Sequence, residues 1–397
     1  MTKQLFYNFS LFDGNKRDLQ ADAWMLVDDQ TGKIVSVGTD GTNLPSAEQK
    51  TDLAGKYVMP GLINCHTHIT MEPSVGDGGT TANVVASTVR AVKNLHTFLK
   101  SGVTYIRECG STYDIDITLS KLVADGTIDH APEILPSGRP YSMTGGHGDF
   151  PNFGHLVDSP DEMRKAVRRG QKKGAKAIKV MATGGVMTKN DFMDDPQLST
   201  AEISAAVEEA HHKGNIVAAH AEGNPGILNA IKAKVDSIEH GFYVNDEEID
   251  LMLSQGTFLT PTIVADWAIP KYGTGILPDW EIKKAADALD DLRHNIAHAY
   301  KRGVAITLGT DAGTPFNDFS MTPFELELMV KIGFSTYDAL QTSCQNSAKL
   351  MQIADEYGTL EPNKYADFLV LDANPLADIT AVQQEDKAVY KKGQRAY

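Results

Sequence analysis

Residues 58–70, VMPGLINCHTHIT, form an apolar run that closes on two histidines separated by one residue. The run has the length and apolar character of a buried strand. Because successive side chains of a strand point to opposite faces, His66 and His68 share one face, and Cys65 and Thr67 share the other. A single buried histidine is usually a hydrogen-bonded structural residue, but two neighbouring imidazoles on one face are most simply explained by a shared cation. This stretch predicts the first strand of an α/β fold with a cation at its carboxyl end.

Similar apolar runs recur along residues 57–313, and most are followed by a longer segment with helical periodicity. The segment STAEISAAVEEAHHKG, residues 199–214, is typical of the helices, because it opens on Ser199 or Thr200 as N-cap and closes on Gly214. Eight strand candidates that alternate with helices over this length predict an α/β fold of the (β/α)8 TIM-barrel type. A doubly wound sheet is the alternative on pattern alone. It would carry a glycine-rich phosphate-binding turn after its first strand, and residues 62–70 contain none.

The two ends of the chain have a different pattern. Residues 1–57 and 355–397 read as short strands joined by turns, and DDQTGK, residues 28–33, is a hairpin signal. Each end is too short to form a good core by itself. The sequence therefore predicts one small β-sandwich domain built from both ends, beside a barrel domain over residues 58–354.

Composition restricts the partners of this protein. The formal net charge is −15 and the pI is near 5.2, which disfavours nucleic acid and anionic membranes. No apolar run approaches the ~18 residues that span a bilayer, and the N-terminal residues lack the pattern of a signal peptide. The three cysteines are far apart and fit a reducing compartment better than a disulfide framework. We expect a cytoplasmic protein that acts on a small molecule or dipeptide, without nucleic-acid or membrane partners.

Polar residues lie where several of the predicted strands end. Lys179 lies inside the apolar run AIKVMAT, where an isolated ammonium is costly to bury. It is either a lysine whose ammonium reaches the strand end or an ion-pair partner, or a desolvated amine that captures CO2 as a carbamate able to bridge two cations. His220, His240 and Asp311 close three other apolar runs. Each residue alone is weak evidence, but together with the first strand they indicate a metal centre.

With these residues in place, the chain resembles the amidohydrolase superfamily, and more narrowly its imidazolonepropionase-like branch of Xaa-Pro dipeptidases and related carboxypeptidases. The resemblance runs almost from end to end and preserves the order and spacing of the motifs. These motifs are MPGLINCHTH (59–68), IKVMATGG (178–185), AAHAEG (218–223), SIEHG (237–241) and LGTDAG (308–313).

The resemblance implies two divalent metal ions, usually zinc, bridged by a CO2-derived carbamate on a lysine and by a hydroxide that attacks the substrate. It also implies that one ligand, Asp311, takes the proton from this hydroxide and passes it to the leaving amine. The implied ligands are His66, His68 and Asp311 for the more buried ion, His220 and His240 for the more exposed ion, and Lys179 for both.

Two further residues are candidates for catalytic contact with the substrate. His147, in the glycine-rich SMTGGHGD, resembles the family histidine that polarises the substrate carbonyl; the alternative is a surface loop histidine. Tyr243, in EHGFY, would bind a substrate carboxylate or pack at the barrel rim. Arg107 is expected in an interior ion pair near Glu108 rather than at the substrate. The glycine-rich residues 72–83 have the composition of a mobile lid or of an ordinary flexible loop.

The ligand set favours a metal-dependent hydrolase that cleaves an amide bond of a dipeptide or an N-acyl amino acid. A cyclic amide or lactone hydrolase is the alternative, because the same hydroxide would attack those rings. Lys179 argues against a deaminase, since mononuclear deaminases of the superfamily generally lack a lysine on the fourth strand. A non-catalytic barrel scaffold would be expected to have lost ligands. The resemblance further implies a homo-oligomer.

Overall fold

The computed structural model describes residues 2–73 and 78–397. Residues 74–77, in the middle of the predicted lid, lie outside the described residues. None of the helices within the described ranges has the length and apolar character needed to cross a lipid bilayer.

Strands and helices alternate through the middle of the chain, and strands predominate at both ends. The strands are β1 (Lys3–Leu11), β2 (Gln20–Asp28), β3 (Ile34–Gly38), β4 (Gln49–Asp52), β5 (Tyr57–Pro60), β6 (Leu62–Thr67), β7 (Val103–Glu108), β8 (Glu133–Leu135), β9 (Tyr141–Ser142), β10 (His155–Leu156), β11 (Ala177–Met181), β12 (Ile216–Ala221), β13 (Ser237–His240), β14 (Phe258–Thr260), β15 (Phe368–Leu371), β16 (Ala388–Lys391) and β17 (Gln394–Arg395). The helices are α1 (Val84–Ser101), α2 (Ile115–Ala124), α3 (Pro160–Lys173), α4 (Thr200–His211), α5 (Asn224–Lys232), α6 (Asp246–Gln255), α7 (Ile263–Tyr272), α8 (Asp279–Arg302), α9 (Thr322–Lys331), α10 (Thr336–Gln341) and α11 (Ser347–Leu350).

The two ends of the chain meet in one mixed β-sheet. β1 pairs antiparallel with β2, and β2 pairs antiparallel with β3, as the hairpin signal predicts. β5 pairs parallel with β1 on one side and antiparallel with β15 on the other, so the N-terminal and C-terminal strands meet at the β5–β15 pair. Phe6, Phe368 and Tyr390 pack ring against ring between these strands. The sheet thus brings the first and last segments of the chain together beside the start of β6.

The middle of the chain forms parallel sheets covered by helices. β6, β7 and β8 make one parallel sheet, and β9 to β14 make another in the order β10-β9-β11-β12-β13-β14. Every residue of β6, β11, β12 and β13 is buried, which explains why these strands read as continuous apolar runs rather than as alternating ones. Parallel strands bring their carboxyl ends to one edge, and that edge carries the polar residues described below.

The predicted eighth strand, residues 304–312, differs from expectation. It forms no extended strand and meets its neighbours through isolated parallel bridges, Leu259 with Ile306 and Thr67 with Ala312. Two features break the strand: the Leu308 N–H donates to the Thr342 carbonyl, and Asp311 adopts a left-handed φ of 57°. The segment still lies between β14 and β6, because Cys65 N–H donates to the Leu308 carbonyl.

The helix assignments rest on clear end signals. Ser199 caps α4 as predicted, because its side chain accepts from Glu202 N–H while the Glu202 carboxylate accepts from Ser199 N–H. The first helix ends at Gly102, whose φ of 104° is left-handed and whose N–H donates to the Leu99 and Phe98 carbonyls. Local sequence therefore determines where these helices begin and end.

An ion-pair network joins α3 to α4. Arg168 donates to both oxygens of Glu209 at 2.8 and 2.7 Å, and Arg164 donates to Glu209 at 3.1 Å. The hydrogen bonds and charges of these arginines lower the pKa of Glu209 from 4.5 to about 2. The carboxylate therefore stabilises the fold above its unfolded-state pKa, and this contribution is lost as the pH falls toward about 2.

We predict that Glu209→Gln lowers the free energy of unfolding at pH 7 by ~1 kcal/mol, a small value because Arg168 is largely exposed. The difference between variant and wild type should shrink as the pH falls from 4.5 toward 2. Urea unfolding at several pH values measures it. Glu208→Gln, which removes only the exposed partner of Arg164, is the matched control and should have a smaller effect. An equal difference at pH 7 and pH 3 would contradict the assignment.

Candidate metal centre

The predicted metal ligands meet at the carboxyl edge of the parallel strands. His66 lies near the end of β6 and Lys179 in the middle of β11. His220 is the penultimate residue of β12, and His240 is the last residue of β13. Asp311 lies within the segment 304–312 that bridges β14 and β6. Short buried strands therefore hold each side chain in place, and all line one cavity.

The first two histidines and the aspartate form a compact group. His66 Nε2 lies 3.3 Å from Asp311 Oδ1, and His68 Nε2 lies 3.0 Å from the same oxygen. Lys179 Nζ lies 3.2 Å from His66 Nε2. One ligand atom from each of His66, His68 and Asp311 falls within 4.8 Å of the others, a spacing that a metal ion could fill.

The remaining histidines lie beside this group. The ring centroids of His66 and His240 are 4.9 Å apart, and those of His240 and His220 are 4.7 Å apart. His220 and His240 form a second group of potential ligands with Glu222. The cluster is therefore large enough for two adjacent cations, with Lys179 next to the first group.

Each histidine is held by a protein acceptor through one ring nitrogen, which leaves the other nitrogen for a ligand. Carboxylate and carbonyl oxygens only accept, so the bonded nitrogens of His66, His68 and His220 carry the hydrogen, and the Thr262 hydroxyl can accept from His240 in the same way. This arrangement is typical of metal-binding histidines, whose outer N–H is fixed by a neighbouring oxygen. The pairs are His66 Nδ1 with Glu239 Oε2 (2.8 Å), His68 Nδ1 with the Gly110 carbonyl (2.9 Å), His240 Nδ1 with Thr262 Oγ1 (2.7 Å) and His220 Nε2 with the Gly184 carbonyl (3.0 Å).

Burial favours the neutral, cation-binding form of three imidazoles, those of His68, His220 and His240. It lowers the pKa of His68, and it lowers the pKa of His220 and His240 well below the usual range. Burial alone would raise the pKa of Asp311, but its contacts with the imidazoles of His66 and His68 outweigh burial and hold that pKa well below its ordinary value. The donor set thus includes the neutral imidazoles of His68, His220 and His240 and the ionised carboxylate of Asp311.

Arg107 corrects one expectation from the sequence. It forms an interior ion pair, but with Glu239 at 2.7 Å and not with Glu108. Its guanidinium also donates to Ser237 Oγ at 2.8 Å, while Glu108 accepts from the Thr67 hydroxyl at 2.8 Å. Burial would raise the pKa of Glu239, but the Arg107 charge outweighs it and holds that pKa far below its ordinary value. Arg107 therefore acts on the cluster through the carboxylate that fixes His66.

Three residues of the site have a backbone conformation that side chains other than glycine rarely adopt. His240 has φ 70°, Thr262 has φ 49° and Asp311 has φ 57°. Such conformations are strained and persist where the surrounding structure enforces them, often at functional sites. Their concentration around this cluster supports a functional role for it.

His147 lies on the cavity wall beside the histidine cluster. Its ring stacks on the ring of His220 with centroids 4.3 Å apart. Its Nδ1 lies 3.2 Å from Asp191 Oδ2, and Asp191 is buried in the loop that follows β11. Lys284 of α8 fixes that loop by donating to the Gly185 and Thr188 carbonyls. His147 is therefore an oriented residue of the cavity and not a surface histidine.

Tyr243 lies outside the wall of this cavity. It is half-buried just after β13, and its N–H donates to the Glu222 carbonyl at 3.0 Å. Burial raises the pKa of its hydroxyl, and the charges of Asp291 and Glu222 raise it further. Its nearest charged neighbours are thus carboxylates, and a substrate would have to extend beyond the cluster to reach it.

Sequence reasoning missed the residues that orient the ligands. Glu239 carried a usable signal, because a carboxylate inside the apolar run SIEHG is as costly to bury as the lysine in AIKVMAT. Thr262 and Asp191 carried none, since each lies in a loop and contacts its histidine only after folding.

The Thr262 contact gives a direct test of the metal centre. Thr262→Val removes the acceptor of His240 while keeping the shape of the side chain, and it should weaken metal binding by ~10- to 100-fold. Competition against a chelator measures this affinity. Thr260→Val is the matched control, because Thr260 is equally buried but bonds Thr307 instead of a histidine. Equal metal affinity in the two variants would contradict the role of Thr262.

The sequence of the chain shows its family. Residues 57–396 match the sequence model described as the amidohydrolase family. The chain belongs to the amidohydrolase family, and it is a hydrolase of the class that cleaves amide and related C–N bonds.

Individual relatives agree with this membership. The chain is 33% identical over 419 residues to ochratoxinase of Aspergillus niger, with 97% of this chain and 84% of that protein covered. It is 31% identical to a Xaa-Pro dipeptidase whose crystal structure has methionine bound in the active site, with a TM-score of 0.89 and 99% of each chain covered. It is 29% identical to a prolidase complexed with N-methylphosphonate-L-proline, with a TM-score of 0.91 and 99% of each chain covered.

Proposed function

We propose that this protein is a binuclear metal-dependent amidohydrolase that cleaves an amide bond of a dipeptide or an N-acyl amino acid. The observation that carries the proposal is the buried Lys179, whose Nζ lies 3.2 Å from the ligand nitrogen of His66 with a histidine pair beside it. A packing role does not explain a lysine that is 1% exposed in the middle of such a cluster. A carbamate on this lysine explains it, because a bidentate anion can serve two cations.

The donor set fits two divalent ions. Neutral imidazoles, a carboxylate and a carbamate suit zinc, and they also suit manganese, cobalt or iron. The ions would supply Lewis acidity that polarises a carbonyl and lowers the pKa of a water molecule toward neutrality. The residues that would hold them are His66, His68 and Asp311 for one ion, His220 and His240 for the other, and carboxylated Lys179 for both.

The side chains of the cavity would share the remaining work. Asp311 contacts His66 and His68 through Oδ1, so its Oδ2 can take a proton from the attacking water and pass it to the leaving amine. His147 is held by Asp191 through Nδ1; when both of its ring nitrogens carry a hydrogen, its Nε2–H can donate to the substrate carbonyl. These residues would bind the substrate and move the proton without leaving their observed positions.

The finer architecture belongs to the same proposal. The bridges of residues 304–312 to β14 and β6 support a closed (β/α)8 barrel over residues 58–354. The mixed sheet of the two chain ends supports a separate β-sandwich domain over residues 1–57 and 355–397. The cysteines Cys65, Cys109 and Cys344 are unpaired and buried, which supports a cytoplasmic setting. We propose a homo-oligomer that acts on small molecules and binds neither nucleic acid nor membrane.

The relatives favour an amide of an amino acid over the alternatives. The Xaa-Pro dipeptidase and the prolidase carry dipeptide cleavage in their names. A cyclic amide or lactone hydrolase would use the same cluster and remains the second candidate. A screen of metal-loaded enzyme on dipeptides, N-acyl amino acids, cyclic amides and lactones separates them by kcat/KM. Preference for rings would reject the first proposal. Absence of bound metal in protein purified without chelator, combined with no hydrolysis of any class, would revive a non-catalytic scaffold.

Tyr243 provides a prediction about recognition of the substrate carboxylate. If its hydroxyl binds the substrate carboxylate, Tyr243→Phe should raise KM by ~10-fold with little change in kcat. For substrates whose carboxylate is converted to an amide, the KM of the same variant should equal that of the wild type. Steady-state kinetics on both substrate forms measures this, with Tyr272→Phe, an exposed tyrosine of α7, as the control. An equal KM change for acid and amide substrates would assign Tyr243 to packing.

A further inference from the structure

Two buried carboxylates line the cavity without belonging to the proposed ligand set. Glu222 follows β12, two residues after His220, and is 3% exposed. Asp266 lies in the first turn of α7 and is 4% exposed. Both face the same cavity as Lys179 and His240. Neither has a role in the chemistry proposed above.

Glu222 has an oxygen without a partner. Within the described residues no group hydrogen-bonds its Oε2, which is fully buried. Its Oε1 lies 3.7 Å from His220 Nε2, beyond hydrogen-bond distance, and that nitrogen donates instead to the Gly184 carbonyl. An unpartnered buried carboxylate is destabilising unless something else binds it.

The charges around Glu222 favour a cation as that missing partner. Asp266 and Asp311 line the same cavity as Glu222. Lys284 Nζ donates to loop carbonyls such as that of Thr188. A second and a third carboxylate thus lie in the cavity with Glu222, and Lys284 is engaged by the loop.

The rest of the cavity wall is apolar on the side of these carboxylates. Ala265 and Ile269 lie on the same helix as Asp266, and Val186 and Met187 come from the loop after β11. Such a wall suits the hydrocarbon part of an amino-acid side chain. A small organic cation fits this combination better than a hydrated inorganic ion does.

We propose that Glu222 and Asp266 form a subsite for the ammonium group of the substrate. A primary ammonium has three donors, so it can bind the unpartnered Glu222 oxygen and Asp266 together. The inference rests on the proposed function and narrows it, because a dipeptide carries such a group and an N-acyl amino acid with a neutral side chain does not. The ammonium is either the α-amino group of a dipeptide or the end of a basic side chain.

Four synthetic amides distinguish these sources. The C-terminal residue is kept constant at the best one found in the dipeptide screen, and only the acyl part varies. Alanyl and propanoyl amides differ by the α-ammonium alone, and 6-aminohexanoyl and hexanoyl amides differ by a terminal ammonium alone. We expect kcat/KM to be about 10- to 100-fold higher for one amino compound than for its matched partner. A difference within the alanyl pair would indicate binding of an α-ammonium, and a difference within the 6-aminohexanoyl pair would indicate binding of a side-chain ammonium.

Variants then locate the subsite. Glu222→Gln and Asp266→Asn should each reduce the amino-to-desamino ratio of kcat/KM at least fivefold. Asp194→Asn, an exposed carboxylate of the neighbouring loop, should leave the ratio unchanged and controls for long-range charge. Because the ratio compares two substrates on one variant, a general loss of catalytic rate cancels.

Two further measurements make the result decisive. Calorimetric Kd values for the same four compounds report the subsite even if none is cleaved, so failure of the proposed function and failure of this inference are distinguishable. Amino-to-desamino ratios near one in both kinetics and binding would overturn the inference. Loss of one equivalent of metal in Glu222→Gln, whose side chain belongs to the group with His220 and His240, would assign this carboxylate to a metal ion and overturn it as well.

Discussion

Lys179→Ala is expected to remove at least one of the two metal ions and to lower kcat/KM by about 1,000-fold or more. The side chain is 1% exposed and its Nζ lies 3.2 Å from His66 Nε2, so alanine deletes the group proposed to serve both ions. Lewis-acid stabilisation is worth several kcal/mol, and each ~1.4 kcal/mol is a factor of ten in rate. Metal analysis of the purified variant and steady-state kinetics with the best substrate measure the two effects together.

The matched control is Lys176→Ala, three residues earlier and immediately before the same strand. Lys176 is exposed, so its loss should change neither metal content nor activity. Added acetate or propionate should restore part of the activity of Lys179→Ala, because a free carboxylate can occupy the space that the carbamate filled. A variant with two equivalents of metal and unchanged kcat/KM would reject the binuclear scheme.

The strands that carry the ligands were predictable because both of their faces are buried. In a chain of alternating strands and helices, short continuous apolar runs such as AIKVMAT and NIVAAHA are typical of parallel strands covered on both sides, and β11 and β12 lie where these runs predict. The eighth apolar run, residues 304–312, does not form an extended strand, and the cause lies in another part of the chain. Its Leu308 N–H is taken by the Thr342 carbonyl, which lies in a later part of the chain and leaves no local signal.

The metal-ligand candidates of the site could be predicted from the sequence, but the groups that orient them could not. A histidine or lysine inside an apolar run is visible in the sequence because burying it alone is costly. Its partner is not visible when that partner comes from a neighbouring strand. Arg107 is adjacent in sequence to Glu108 but pairs with Glu239, because β7 and β13 converge in the folded protein and chain neighbours point to opposite faces. The Gly110 and Gly184 carbonyls that orient His68 and His220 belong to no residue-type pattern at all.

Asp311→Asn is expected to lower kcat by about 1,000-fold while KM stays within about threefold. The amide oxygen can still contact His66 and His68, but an amide cannot take a proton from water and pass it to the leaving amine. General acid–base catalysis contributes ~100- to 10,000-fold, and the lost ligand charge adds to the deficit. Metal content is measured in parallel, because retention of at least one ion separates a chemical defect from an empty site.

Asp318→Asn is the matched control for the loss of a carboxylate in the same region. Asp318 is exposed and caps a short turn by accepting from Ser320 N–H, a role that asparagine also fills, so kcat should be unchanged.

A substrate whose leaving group needs no proton gives a sharper test of the role of Asp311. With a nitrophenyl ester of the best acyl group, the defect of Asp311→Asn should shrink by about tenfold or more, because only the step at the leaving amine is relieved. An equal defect for the ester and the amide would mean that Asp311 acts as a metal ligand alone and that another residue delivers the proton.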